Sequence, residues 1–286
     1  HHVFDRDQPD LRDALDRLRE VADAYGALLV GETLDERFRY DKPTDYVGAG
    51  QLHQTFHFGL LHSKWRAKAL YDGIRRQLDG LPQDGWATWV LSNHDFARHP
   101  SRWGGGDARA RAAGVLALTL PGTPYLYYGE ELGLPQAKLR RDEIVDPPGQ
   151  RFWPFFKGRD GARTPMPWTA APGAGFSEGT PWLPIPAGHR RRNPDDSDVI
   201  DTYRRAMALR RSHPALRGEQ WEMPVPEGPV LHFTRSDGER SVRVLLNTGR
   251  RPVDTTLARG ELLLSTTDGT GPLLPDEARI VELPRG

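Results

Sequence analysis

The chain has 286 residues, 39 basic and 39 acidic side chains, no cysteine and a mean hydropathy of −0.64. That length suits one large domain or two ordinary ones. Zero net charge argues against a protein built to coat nucleic acid or an anionic membrane, and the lack of cysteine removes disulfides, thiolate nucleophiles and cysteine-based zinc sites together. The longest near-apolar run, around residues 112–120, falls far short of the roughly 18–20 residues of a membrane span. No signal peptide is visible, so the expected setting is the cytoplasm.

Leu11, Leu15, Leu18, Ala22 and Tyr25 recur at helical spacing, which predicts an amphipathic helix over about 10–25. Residues 27–30 are wholly apolar and end in Gly31-Glu32, the pattern of a strand buried on both faces of a parallel sheet. An apolar segment over 54–61 and a helix over about 65–81 follow. The next strand-like run, 86–91, ends in Ser92-Asn93-His94-Asp95. Asp107 is placed to cap a helix that Pro121-Gly122 stops, and a third run, 124–128, ends in Gly129-Glu130-Glu131. Strand, polar loop and helix thus alternate at least three times, which predicts a parallel sheet with right-handed crossovers.

Residues 145–190 are rich in Pro, Gly and aromatics and read as one long functional loop. Ile200, Tyr203 and Met207 mark a last helix ending near His213-Pro214. From Gly218 the texture changes to short strands at 230–233, 242–246, 255–257, 262–264 and 280–283, separated by turn sequences. The expected boundary lies at 212–218, giving domains 1–215 and 216–286.

Carboxylates at the ends of separate parallel strands are characteristic of a (β/α)8 barrel. A doubly wound sheet shows the same local pattern, but no glycine-rich phosphate loop opens a helix here. Glu32 and Asp95 are therefore candidate partners in acid/base work on an acetal, or else each caps the loop after it. Phe152, Phe155 and Trp182 either stack on sugar rings or pack the long loop. His53, His57 and His62 match no zinc spacing and read as core or surface histidines. Arg190-Arg191-Arg192 reads as a solvated loop. No metal and no cofactor is expected.

Four blocks stand in a telling order: Val30-Gly31-Glu32; Ser92-Asn93-His94-Asp95 with Arg98; Gly122-Thr-Pro-Tyr-Leu-Tyr-Tyr-Gly-Glu-Glu-Leu-Gly133; and Arg159-Asp-Gly-Ala-Arg-Thr-Pro-Met-Pro-Trp168. Together they resemble the α-amylase superfamily of glycoside hydrolases, and the last block resembles its α-glucosidase and oligo-1,6-glucosidase branch. The resemblance implies a retaining hydrolase acting on α-linked gluco-oligosaccharides. It makes Glu32 the general acid/base and Asp95 the carboxylate that grips the sugar and stabilises the transition state. It makes His94 a second hydroxyl-binding residue, and Arg98 an arginine set beside Asp95.

The family's nucleophile, an Asp in a Gly-Phe-Arg-x-Asp motif before the Glu strand, has no counterpart. Arg37-Phe-Arg-Tyr-Asp41 comes after Glu32 and lacks the Gly, so it is a chance match. Residues 1–10 resemble the family's segment just after the nucleophile strand. The resemblance therefore implies the C-terminal half of a (β/α)8 TIM barrel, strands 5 to 8, and then a small antiparallel β-sandwich domain. Half a barrel leaves an open strand edge. Expected partners are the oligosaccharide and either the missing N-terminal half or a second copy of the chain, with no nucleic acid and no membrane. The fragment alone is expected to be inactive. Alternatives are a transglycosylating relative of the trehalose synthase or sucrose isomerase type, and a non-catalytic carbohydrate-binding relative. Intact Glu32, His94 and Asp95 argue against the last.

Overall fold

The computed structural model describes residues 8–33, 42–83 and 85–284. The family-like stretch at residues 1–7 and the Arg37–Asp41 match lie outside them. The periodic first segment forms α1 (Leu11–Ala24), but of its side chains only Ala22 is buried. Its apolar stripe is uncovered, with Leu18 55% and Val21 59% exposed. Polar contacts hold it instead: Arg19 Nη1 donates to the carbonyls of Gly48 and Gln51 at 3.1 and 2.9 Å.

β1 (Val30–Gly31) pairs in parallel with β2 (Gln54–Thr55), in the register Val30 to Gln54 and Gly31 to Thr55. The burial on both faces that its composition predicts is not found, since Leu28 and Val30 are 59% and 38% exposed. The cause is the sheet edge: among the described residues β1 has a strand neighbour on one side only. After the short α2 (Gly59–His62), α3 (Ala67–Gly80) turns Leu70 and Ile74 fully inward. β3 (Thr88–Val90), buried throughout, pairs in parallel with β4 (Thr123–Tyr125). The two strand pairs are stitched by side chains. Thr88 Oγ1 donates to the Thr55 carbonyl at 2.7 Å, and Gln54 Nε2 donates to Thr123 Oγ1 at 2.9 Å.

Between β3 and β4 run α4 (His99–Trp103) and α5 (Gly106–Thr119). From Ala112 to Thr119 every residue of α5 is buried, the mark of a helix covered all round. One cover is α8 (Asp198–Ser212), which approaches so closely that a Cβ on Gly114 would lie 2.3 Å from the Tyr203 ring. Asp107 does not cap this helix. The helix starts one residue earlier, after Gly104 and Gly105 at φ +67° and +78°, and Asp107 instead accepts from Arg192 Nη1 at 2.5 Å.

The loop over 145–190 contains only the short α6 (Pro147–Arg151), α7 (Ala187–Arg190) and isolated 3-10 turns. Buried Asp160 anchors its start, accepting from the backbone N–H of Val145 and Asp146 at 2.7 and 2.8 Å. Phe155 is 98% exposed and does not pack this loop, whereas Phe152 and Trp182, at 53% and 64%, are partly covered.

After α8 and α9 (Pro214–Arg217) come β5 (Gln220–Trp221), β6 (Val225–Glu227), β7 (Val230–Ser236), β8 (Ser241–Asn247), β9 (Glu261–Ser265) and β10 (Ala278–Glu282). They make one antiparallel sheet in the order β5-β7-β8-β10-β9, with β6 also on β7. A sandwich requires two facing sheets; the described residues after 219 form one. Helices α3, α5 and α9 cover one face, and a single buried cluster runs from Leu70 and Leu116 to Phe233, Val244 and Ile280. Val253, Leu257 and Leu273 cover Val230, Leu245 and Val281 on the other face. The strand expected at 255–257 is a 3-10 turn, Thr256–Ala258, capped by Thr255 Oγ1. The joint is polar as well as apolar. Buried Arg235 on β7 donates to the carbonyls of Thr119, Leu216 and Gly218 at 2.9, 3.1 and 2.7 Å.

Candidate active site

Three parallel strands deliver chemistry at their C-terminal ends. β1 runs into Glu32, β3 into Ser92-Asn93-His94-Asp95, and β4 into Leu126 and Tyr127. Glu32, His94, Asn93, Tyr125 and Tyr127 line one cavity of about 170 Å³ walled by Phe56 and Phe58. Phe56 meets Tyr125 edge-on at 4.7 Å between ring centroids. The structure thus brings the predicted Glu32 and His94 to one cavity.

Asp95 is presented by its neighbour. Asn93 Oδ1 accepts from the backbone N–H of Asp95 at 3.0 Å and of Phe96 at 2.9 Å, closing a turn that sends the chain back after the strand. Asp95 Oδ1 lies 3.5 Å from His94 Nε2, 3.2 Å from Arg159 Nη1 and 3.1 Å from Arg163 Nη2. Arg163 Nε also donates to the His94 carbonyl at 3.0 Å. Two guanidinium groups therefore converge on one carboxylate oxygen in charge-assisted hydrogen bonds, which also set its direction.

The guanidinium partner expected at Arg98 is supplied by Arg159 and Arg163. Arg98 is fully buried and lies under the site: Nη1 donates to the Tyr128 carbonyl at 2.5 Å and Nη2 to the Ala162 carbonyl at 2.9 Å. Its guanidinium carbon sits 4.9 and 4.6 Å from the ring centres of Tyr127 and Tyr128. Burial pulls its pKa down, against the opposing influence of the two tyrosines and Glu130. Stacking on ring faces and capping carbonyls suits a delocalised cation cut off from water.

Arg159 is itself held by buried Asp146, with Nη2 to Oδ1 at 2.7 Å and Nε to Oδ2 at 3.2 Å. That hydrogen bonding keeps the Asp146 carboxyl below the usual carboxylate range. Sequence reasoning missed Asp146 and Arg159. Arg159 opens the last family-like block, which is the signal that could have found it, whereas Asp146 carries no local signal. Arg163 anchors the long loop and also touches Asp95.

Beneath the site lies a second polar group. Ser92 Oγ is 3.0 Å from His99 Nδ1 and accepts from the His99 backbone N–H at 2.9 Å. His99 Nδ1 is 3.6 Å from Glu130 Oε2, and Glu130 is completely buried with no hydrogen bond to either side-chain oxygen. Burial drives the two in opposite directions, pushing His99 down to about 3 and Glu130 well above its usual range. Among the described residues no group of three or more His, Asp or Glu side chains is arranged to hold a metal. His57 accepts from the Gly59 N–H through Nδ1 at 3.2 Å, and His53 from the Leu29 N–H at 3.0 Å.

A family profile described as alpha amylase, catalytic domain, matches residues 1–219. A probable alpha-glucosidase of Rhizobium meliloti (strain 1021) is 38% identical over 257 residues, covering 86% of this chain and 47% of that protein. An oligo-1,6-glucosidase of Parageobacillus thermoglucosidasius is 29% identical over 299 residues, covering 87% and 52%. The crystal structure of XgtA, an alpha-glucosyl transfer enzyme, superposes with a TM-score of 0.84 at 37% identity, covering 96% of this chain and 55% of that one. The chain thus spans about half the length of the curated relatives it matches.

Proposed function

Because the chain belongs to the alpha-amylase catalytic-domain family, we propose that it carries half of the active site of a retaining α-glucosidase acting on α-linked gluco-oligosaccharides. The observation that carries this reading is the site itself. Glu32 and His94 line one cavity at parallel strand ends, and two arginines aim the neighbouring Asp95. In this reading Glu32 gives its proton to the glycosidic oxygen as the bond to the anomeric carbon breaks, then takes one from the attacking water. Asp95 and His94 bind the hydroxyls of the glucosyl unit, and their hydrogen bonds strengthen as the ring flattens toward the oxocarbenium-like state. The aromatic wall of Phe56, Phe58 and Tyr125 offers apolar faces to the sugar.

Net retention needs a second carboxylate about 5–5.5 Å from the first, acting as nucleophile. The described residues provide no candidate on a strand before β1. We therefore propose that residues 1–215 form the second half of a (β/α)8 barrel, and that this chain alone releases no glucose. The uncovered edge of β1, with Leu28 and Val30 exposed, is where further barrel strands would pair.

The test uses the purified 286-residue chain. No p-nitrophenol release from p-nitrophenyl α-glucoside is expected, together with calorimetric binding of glucose or acarbose that Asp95→Asn and His94→Ala abolish. Release that disappears in Glu32→Gln would overturn the proposed inactivity. Sugar binding unaffected by Asp95→Asn would overturn the site. A glucosyl-transferring enzyme is the second reading, favoured by the likeness to XgtA. Transfer products formed when the missing half is supplied in trans would distinguish it from hydrolysis.

A further inference from the structure

Arg98 does not touch Asp95, yet the two are joined by a closed circuit of contacts. Arg98 Nη2 donates to the Ala162 carbonyl at 2.9 Å. The same carbonyl accepts from Tyr127 Oη at 3.1 Å and lies 3.3 Å from Tyr128 Oη. Tyr128 Oη lies still closer to the Thr164 carbonyl, at 2.7 Å. The residue between these two gripped carbonyls is Arg163, whose side chain returns to the Asp95 loop through the His94 carbonyl and Asp95 Oδ1. The backbone from Asp95 to Arg98 completes the ring, and Gln136 Oε1 pins it by accepting from the Arg98 backbone N–H at 3.1 Å.

We propose that Arg98, with Tyr127 and Tyr128, is a positioning residue that sets where Arg163 meets Asp95. Arg98 and Tyr127 both donate to the Ala162 carbonyl, and the single Tyr128 hydroxyl proton serves the nearer Thr164 carbonyl, so both peptides flanking Arg163 are held. With the carbonyls on either side of Arg163 gripped, the backbone that carries it is fixed. The long arginine side chain starts from that fixed backbone. The ring faces over Arg98 fix the guanidinium plane, which a lysine at the same place would not reproduce. An exposed Arg163–Asp95 pair standing alone would be worth little and would sample several geometries. Rooted in a buried clamp, it is presented as a preformed surface for a sugar hydroxyl.

The inference rests on the reading of Asp95 as the sugar-gripping carboxylate. Its test reads the Arg163 geometry directly, so either can fail without the other. In the purified 286-residue chain, the Arg163 side-chain Nε–H is followed by ¹⁵N NMR and assigned by its loss in Arg163→Lys. We expect Arg98→Lys to speed its hydrogen exchange about tenfold, the fold-change equivalent to one ordinary net hydrogen bond. Tyr128→Phe should act in the same direction by less, and it remains readable if Arg98→Lys does not fold. Arg235→Met, which loosens the distant joint with the sheet, should leave the signal unchanged. An unchanged Arg163 signal in folded Arg98→Lys or Tyr128→Phe would overturn the proposal. So would equal acceleration in Arg235→Met, or a wild-type signal exchanging as fast as free arginine.

Discussion

Glu130→Gln probes the polar group under the active site through the pH dependence of stability. Glu130 is completely buried and burial raises its pKa well above 4.5, while its neighbour His99 is pushed down from 6.5 to about 3. The two make opposite contributions. From about pH 4.5 upward the folded state holds a proton on Glu130 that the unfolded chain has released. That contribution to stability is complete below the unfolded value and is lost as pH rises toward the folded one. Between about 3 and 6.5 the unfolded chain holds a proton on His99 that the folded state has released, so this contribution rises with pH. Each slope is on the order of 1 kcal/mol per pH unit, and above the unfolded carboxyl value and below the unfolded imidazole value they oppose each other. Replacing the carboxyl by an isosteric amide removes only the falling slope. Urea unfolding of wild type and Glu130→Gln at about pH 5 and 6 should show the variant gaining on the order of 1 kcal/mol on the wild type over that unit. A difference between the two proteins that stays constant would refute the argument, because it would mean Glu130 has the same charge folded and unfolded.

Arg235→Met removes three carbonyl contacts that join β7 to the ends of α5 and α9. It should cost about 2–4 kcal/mol, measured by urea denaturation; a loss below about 0.5 kcal/mol would count against the joint. Gly114→Ala gains about 1 kcal/mol of helix propensity but sets a methyl 2.3 Å from a buried tyrosine ring. A net loss of about 2 kcal/mol is expected, and a raised melting temperature would show that the α5–α8 contact relaxes freely. Val30→Lys places a charge on the open strand edge. Concentration-dependent light scattering of the wild-type chain should fall in this variant, and a wild type that stays monomeric throughout would contradict the edge argument.

Much of this chain is legible from local order alone. The helical spacing of Leu11, Leu15 and Leu18 and the apolar run before Asp95 report backbone preferences over a few residues, and α1 and β3 form there, whereas the run at 27–30 yields only the short β1 at its end. The four ordered blocks identify the family, because their glycines, prolines and carboxylates each answer to a local turn or strand end. Two kinds of fact are decided only by the tertiary structure. One is what covers an element. The stripe on α1 and the run at β1 have the composition of buried surfaces, but coverage depends on neighbours, and among the described residues β1 has one on a single side. The same reason leaves the expected sandwich as one sheet among the described residues, with α3, α5 and α9 on one face and the segments around Val253 and Leu273 on the other. The other is which charges meet. Asp95 lies 64 residues from Arg159 and 68 from Arg163, and no periodicity reports such a pairing. Arg98, three residues from Asp95, is the partner that the family resemblance implies. The fold turns it inward to grip a carbonyl, because a side chain's direction is set by the packing around its backbone and not by its distance along the chain.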